Sequence, residues 1–144
     1  ALVVAVEGEE ARHALGQRRA AGPHEDQRGT AAGGGYSTTG DLQLFAQALL
    51  NGKLIAAQTL AAATRSQTPS GLYGYGFQLG GEGIARHFGH AGGAEGMNGA
   101  LRIYPATGDV VIALSNMDPP AAESLVEYYG NRMPLVTPVA TKSQ

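Results

Sequence analysis

The sequence predicts an α/β protein of the α+β type, with an antiparallel sheet flanked by helices. Three observations support this fold class. A helix-period apolar pattern with start and stop signals lies near 41–52, a period-two pattern begins after Pro69, and a proline pair precedes a last amphipathic segment. The length of 144 residues fits one domain, and 43% hydrophobic residues are enough for a core.

Composition excludes several classes of partner and site. The formal net charge is −2, so nothing favours an anionic membrane, and we expect no nucleic-acid partner. The chain contains no cysteine, which excludes disulfides and thiolate metal sites. Its 22 glycines follow no three-residue period, so we expect them in turns, helix caps and close backbone approaches.

The chain divides into three regions. Residues 1–30 combine an apolar strand at 1–6 with a loop region, rich in charge, glycine and alanine, to which no clear period assigns a structure. Residues 31–134 carry the regular helix and strand patterns. Residues 135–144 are expected to form a mobile tail.

Two helices are expected early in the patterned region. The first covers 41–50, and Asn51-Gly52 ends it with a left-handed glycine cap. Its N-cap candidates are Ser37, Thr38 and Thr39. The second covers 57–65. The glycine run at 33–35 lacks the Gly-Lys-Ser/Thr ending of a phosphate loop, so we interpret it as a helix entry.

The second half of the chain predicts the sheet. Tyr73, Tyr75 and Phe77 alternate with smaller residues, and we interpret these aromatics as core rather than as a pocket lining. The expected strands lie near 72–80, 85–91, 97–105 and 109–115. The run at 110–115 is nearly all apolar, which suits a buried central strand. A helix over 119–131 is expected to pack on this sheet.

The most informative segment is 87–99, HFGHAGGAEGMNG, between two expected strands. Its glycines stand at positions 89, 92, 93, 96 and 99 and remove side-chain bulk from a strand edge. Such an edge can accept a substrate backbone as an added strand and can direct N–H groups at a developing oxyanion. His90 adds a titratable side chain beside that edge.

The order of the segments resembles the C-terminal part of the serine β-lactamase, penicillin-binding-protein (D-alanyl-D-alanine peptidase) and related esterase superfamily. Three segments show this resemblance: AAGGGYSTTGDLQLFAQALLNGKLI at 31–55, YGYGFQL at 73–79 and FGHAGGAEGMNGALRIYPATGDVVIALSN at 88–116. The resemblance implies a serine hydrolase that cleaves ester, β-lactam or D-amino-acid peptide bonds through an acyl-enzyme. It implies no metal or organic cofactor, a small-molecule or peptide-like substrate, and a periplasmic or secreted location.

The third motif of this superfamily is Lys-Thr-Gly, or His-x-Gly in many esterase-like and peptidase-like members. His90-Ala91-Gly92 is similar to the second form. The resemblance implies that His90 takes the place of the motif lysine as a catalytic residue. It further implies that the Gly93 backbone N–H contributes to the oxyanion hole, and that Ala91 and Gly92 contact the substrate.

The sequence departs from the superfamily in its nucleophile. No serine has a lysine three positions on, and no Gly-x-Ser-x-Gly occurs. The one Tyr-x-Asn, Tyr129-Gly130-Asn131, follows His90, whereas the second motif of the superfamily precedes the third, so we interpret it as chance. We therefore expect the nucleophile in an upstream segment of the same protein, and no activity from this chain alone.

Simpler interpretations of single residues stay open. His90 could be an ordinary strand histidine with a satisfied hydrogen bond. His87 lies three positions earlier, and an odd spacing on a strand points two side chains to opposite faces, so we expect no metal site on the pair. Glu95 and Asp109 stand in expected turns, where solvation is the simpler interpretation.

A different functional class is a non-catalytic binding module, or pseudoenzyme, that keeps the glycine edge for peptide-like ligands. An upstream Ser-x-x-Lys would favour the enzyme, and a native start near Ala1 would favour the module. Half an enzyme is also expected to expose apolar residues, here those of the 42–50 helix and of 110–114. That exposure predicts a homo-oligomer or a domain swap.

Overall fold

The computed structural model describes residues 3–7, 33 and 35–136. The described strands are β1 (Val3–Glu7), β2 (Gln78–Gly80), β3 (His87–Ala94), β4 (Met97–Tyr104) and β5 (Asp109–Ser115). The described helices are α1 (Thr39–Leu50), α2 (Ala57–Ala63) and α3 (Ala121–Gly130). Among these residues, no helix combines the length and the apolar character needed to cross a membrane.

The strands form one sheet in the order β1-β5-β4-β3-β2. Strands β2 to β5 pair antiparallel with their neighbours, which confirms the predicted fold class. Strand β1 adds an edge strand that runs parallel to β5, with Val3 opposite Val110. The structure thus confirms the predicted strand over its described part and extends it to Glu7, and its parallel pairing is a feature that the pattern did not predict.

The sheet lies between two helical layers. The core on the α1 side is formed by Ala46, Leu49, Phe88, Ile103, Val110 and Ile112. The core on the α3 side is formed by Ala100, Tyr104, Val111, Ala113, Ala122 and Val126. Alternate residues of β3, β4 and β5 supply the two cores, as the period of two requires. The packing of α3 on the sheet confirms the prediction for that helix.

Strand β5 is the buried central strand that its apolar run predicts. Its residues 110–113 are at most 1% exposed, because β1 and β4 flank the strand and a helix covers each face. The expectation that this run leaves an apolar face uncovered is therefore wrong. The expectation is correct for the 42–50 helix, where Leu44 is 65% and Phe45 is 41% exposed.

Helix α1 begins two residues before the predicted start at 41 and ends at residue 50 as predicted. Thr38 is the N-cap, and its hydroxyl oxygen accepts a hydrogen bond from the N–H of Asp41 at 3.0 Å. At the other end, Gly52 has φ of +68°, and its N–H donates to the carbonyl of Leu49 at 3.1 Å. The N–H of Lys53 donates to the carbonyl of Ala48 at 2.9 Å, which completes a Schellman motif.

The prediction of one strand over 72–80 is wrong. Strand β2 begins only at Gln78, and Tyr73 forms an isolated bridge with that same residue, so the segment folds back on itself. Two glycines permit this turn. Gly76 has φ of +76°, and a Cβ on Gly74 would overlap a backbone carbonyl at the end of α2. The segment with alternating aromatic residues and glycines thus folds as a tight turn rather than as an extended strand.

Other predicted elements occur with shifted ends. Helix α2 stops at Ala63 rather than at residue 65, α3 spans two residues fewer at its start, and β3 continues to Ala94 rather than ending at residue 91. Asp109 begins β5, so its expected place within a turn is wrong. The expected loop before residue 31 and the expected tail beyond residue 136 lie outside the described residues.

Candidate active site

Strand β3 places the predicted site residues at one edge of the sheet. Phe88, His90 and Gly92 share one face by strand alternation, and His90 lies opposite Leu101 of β4. Phe88 is 3% exposed in the core under α1, whereas His90 and Gly92 are exposed. The core of this face therefore ends at Phe88, and His90 lies directly beyond it.

Two hydrogen bonds fix the imidazole of His90. Its Nδ1 lies 2.7 Å from the carbonyl oxygen of Ala91, and its Nε2 lies 2.8 Å from the hydroxyl oxygen of Tyr73. A carbonyl oxygen can only accept, so Nδ1 carries the proton, and in the neutral ring Nε2 accepts the hydrogen bond of Tyr73. The backbone thus sets the tautomer, and a phenol contacts the outer nitrogen.

Tyr73 is a site residue that the sequence pattern assigned to the core. Its ring meets the ring of His90 edge to face, with centroids 5.8 Å apart and planes at 88°. The other two aromatics of the segment have different surroundings, since Phe77 packs on Phe88 in the core and Tyr75 is 66% exposed. The turn at 74–77 separates these residues, and the interpretation of all three as core is correct for Phe77 alone.

The outer edge of β3 has no strand partner beyond Gly89 in the described part of the chain, because β2 begins at Gln78, opposite Gly89. The next outward N–H belongs to Ala91 and donates to the side-chain Oε1 of Gln78 at 3.1 Å. Strand N–H groups alternate in direction, so the N–H of Gly93 points outward at the same edge. The predicted oxyanion donor and His90 therefore lie along one strand edge.

The small residues beside His90 serve different purposes. A Cβ on Gly92 would meet nothing within 4 Å, so this position leaves open space next to the histidine, whereas a Cβ on its partner Gly99 would lie 3.2 Å from Cδ2 of Leu114. A Cβ on Gly93 would lie 2.6 Å from the carbonyl oxygen of Met97 and 2.7 Å from Cγ of Pro119, so this position excludes any side chain. The methyl of Ala91 packs on the α3-side core, while its N–H donates to Gln78 and its carbonyl accepts from His90. The contact of Ala91 with a substrate stays a prediction.

Comparison with protein families gives one match for the chain as a whole. The model of the beta-lactamase family matches residues 2–132, which is most of the chain. The chain belongs to the beta-lactamase family. No curated protein and no solved structure matches it. The predicted resemblance is confirmed at the level of this family, and the assignment of His90-Ala91-Gly92 to the His-x-Gly form of the third motif stays a prediction.

The second histidine of β3 lies on the opposite face of this beta-lactamase-family sheet, as the odd spacing predicts. The ring of His87 packs 5.3 Å from the ring of Tyr104, and its Nδ1 lies 3.0 Å from the carbonyl oxygen of Ala85. Burial lowers the pKa of His87, and the charge of Arg102 lowers it further, against the opposing effect of the bond to Ala85. The described residues contain no cluster of metal-ligating side chains.

The Tyr-x-Asn sequence of this beta-lactamase-family chain lies behind the sheet. A Cβ on Gly130, in the middle of that sequence, would lie 2.5 Å from the hydroxyl of Tyr104 and 2.8 Å from Nη1 of Arg102, on the α3 side. His90 stands on the α1 side. This placement supports the interpretation of the sequence as chance. Glu95 is exposed in the turn between β3 and β4, as predicted.

Proposed function

We propose that this chain is the C-terminal portion of a serine hydrolase, and that an upstream segment of the same protein supplies the Ser-x-x-Lys nucleophile. The substrate would be an ester, a β-lactam or a D-amino-acid peptide. The serine would attack the carbonyl carbon, the leaving group would depart with a proton, and water would release the acyl group from the serine. Membership of the beta-lactamase family supports the reaction class.

One observation carries the proposal: the edge of β3 presents His90 and the outward N–H of Gly93 within one short stretch of strand. A backbone N–H at such an edge can donate to the negative oxygen that develops on the attacked carbonyl. The loss of one oxyanion donor typically costs about 10²–10³ in kcat. An N–H held in a strand needs no reorganisation as the charge develops, which suits this role.

His90 would act beside the serine through its link to Tyr73. In the neutral ring the hydroxyl of Tyr73 donates to Nε2 of His90, so the pair forms a short polar chain that ends at a protein carbonyl. Such a series of hydrogen bonds can bind a polar group of the substrate or stabilise a proton as it is transferred near the serine. The open space at Gly92 would leave room for the part of the substrate next to the carbonyl.

The upstream segment is the decisive partner, and adding it tests the proposal. We expect the 144-residue chain alone to leave nitrocefin and a p-nitrophenyl ester intact, because it contains no Ser-x-x-Lys. The chain together with its upstream segment, called here the joined hydrolase, should turn over at least one of the two. A fluorophosphonate or penicillin probe should then label the upstream serine.

The matched control is the joined hydrolase with that upstream serine changed to alanine, which should lose both turnover and labelling. Stoichiometric labelling of a serine within the 144 residues would contradict the proposal. So would an upstream sequence without Ser-x-x-Lys.

A non-catalytic binding module is the second candidate, and the edge of β3, which has no strand partner beyond Gly89 among the described residues, favours it. An extended peptide could add to this edge as a further strand. This candidate predicts that a peptide ending in D-Ala-D-Ala perturbs the amide signals of β3 in the chain alone, while the joined protein stays unreactive toward both probes. Turnover by the joined hydrolase would exclude the purely non-catalytic role.

A further inference from the structure

The peptide unit between Gly92 and Gly93 has more intrinsic freedom than its neighbours, because glycine lies on both sides of it. The same unit carries the N–H that the proposed function assigns to the oxyanion hole. Its carbonyl oxygen, which belongs to Gly92, accepts a hydrogen bond from the side-chain Nδ2 of Asn98 at 2.9 Å. The orientation of this peptide plane is therefore set by a side chain as well as by the β3–β4 ladder.

Asn98 is itself held rigidly. It is 4% exposed, and its Oδ1 accepts a hydrogen bond from the backbone N–H of Ala122 at 2.6 Å. That N–H lies in the first turn of α3, whose N-cap residue, Pro120, contributes no side-chain bond. Asn98 thus satisfies an N–H at the start of α3 with one end of its amide and the Gly92 carbonyl with the other. A second tie fixes the same hairpin, since Asp118 Oδ1 accepts from the N–H of Gly96 at 2.7 Å.

We propose that Asn98 is a positioning residue for the oxyanion donor, an inference that rests on the proposed function. By holding the Gly92 carbonyl toward β4, Asn98 keeps the N–H of Gly93 at the other end of the same peptide plane directed outward. A hydrogen bond to the carbonyl oxygen also polarises the amide and strengthens its N–H as a donor. The close fit at Gly93 supports this role, because a Cβ there would lie 2.8 Å from Nδ2 of Asn98.

A purely structural role for Asn98 would work through the bond to Ala122 alone. The variant Asn98→Asp separates the two roles. It keeps an oxygen that accepts from the N–H of Ala122, and an ionised carboxylate offers no donor to the Gly92 carbonyl. The variant Asn98→Ala removes both bonds. The control Asp118→Ala removes the neighbouring tie to Gly96 and leaves the Gly92 bond intact.

The first measurement uses the 144-residue chain and the amide ¹⁵N–¹H signal and exchange rate of Gly93. We expect Asn98→Asp to move that signal and to speed exchange, and Asp118→Ala to leave both near wild type. Acid should restore the signal in Asn98→Asp, since a protonated carboxyl again carries a donor. A Gly93 signal that is unchanged in Asn98→Asp across the titration of the new carboxyl would overturn the inference.

The second measurement uses the joined hydrolase. Asn98→Asp should lower kcat about tenfold with a smaller change in KM, since a misdirected donor loses part of the 10²–10³ that a full oxyanion donor contributes. An unchanged kcat together with a shifted Gly93 signal would overturn the catalytic part of the inference. If the wild-type joined protein hydrolyses neither substrate, the proposed function fails, and the amide measurement still decides whether Asn98 orients the peptide.

Discussion

The two faces of strand β3 are filled to different extents. The residues that face α3 are His87, Gly89, Ala91 and Gly93, and each lies against a neighbouring side chain or backbone group. On the face toward α1, Phe88 is buried, and then His90 and Gly92 are exposed. One strand can therefore pack against the core with one face and expose candidate site residues on the other, because successive side chains of a strand point to opposite faces.

The largest expected difference between the faces concerns two glycines. A Cβ on Gly89 would overlap the carbonyl of Leu101 and lie 3.1 Å from Cα of Arg102, whereas a Cβ on Gly92 would meet nothing within 4 Å. We expect Gly89→Ala to lower the free energy of unfolding by about 3 kcal/mol or more. Gly92→Ala should change it by less than about 0.5 kcal/mol. Urea unfolding of the two variants measures this, and equal losses would show that the faces are equally packed.

The next difference concerns the two histidines in the joined hydrolase. His90→Ala should lower kcat/KM at least about tenfold, or roughly 1.4 kcal/mol, because it removes a group that would contact the substrate or the proton path. Its Tm should change little, since the side chain is exposed. His87→Ala is the control on the packed face and should keep near wild-type activity. Full activity of His90→Ala would show that the assignment of His90-Ala91-Gly92 to the third motif is wrong.

The smallest expected effect is the pH dependence of stability due to His87. Burial lowers its folded-state pKa below the ordinary 6.5, so the unfolded chain takes up a proton at a higher pH than the folded chain. The stabilisation is therefore complete above that ordinary value and is lost as the pH falls below it. Urea unfolding at about pH 8 and about pH 5 should show a smaller loss for His87→Gln than for wild type. Equal losses would place the responsible group elsewhere.

Much of this architecture was predictable because it depends on local chemistry. The cap at Thr38, the glycine stop at Gly52 and the apolar β5 all act within a few residues, and the structure confirms them. The prediction of a strand over 72–80 was wrong because alternating glycines satisfy a period of two and also permit a turn. Aromatic alternation alone cannot distinguish these two outcomes.

The candidate site was predictable only in part. The glycine-rich edge and His90 are continuous in sequence, so the pattern placed them together. Tyr73 joins His90 through a turn whose geometry depends on tertiary contacts, and no spacing rule connects the two. Asn98 was indicated only weakly by the sequence: it is an amide in a strand that is mostly apolar or small apart from Arg102, and a buried polar group there needs partners.

The parallel pairing of β1 with β5 has a consequence for the order of assembly. The β4–β5 hairpin closes across a turn of a few residues, whereas β1 must return to β5 from roughly a hundred residues away. Loop-closure entropy makes the long return about 3 kcal/mol more costly than the short turn. We expect the hairpins to form before β1 is captured, and until then the apolar edge of β5 is open to the matching strand of another copy.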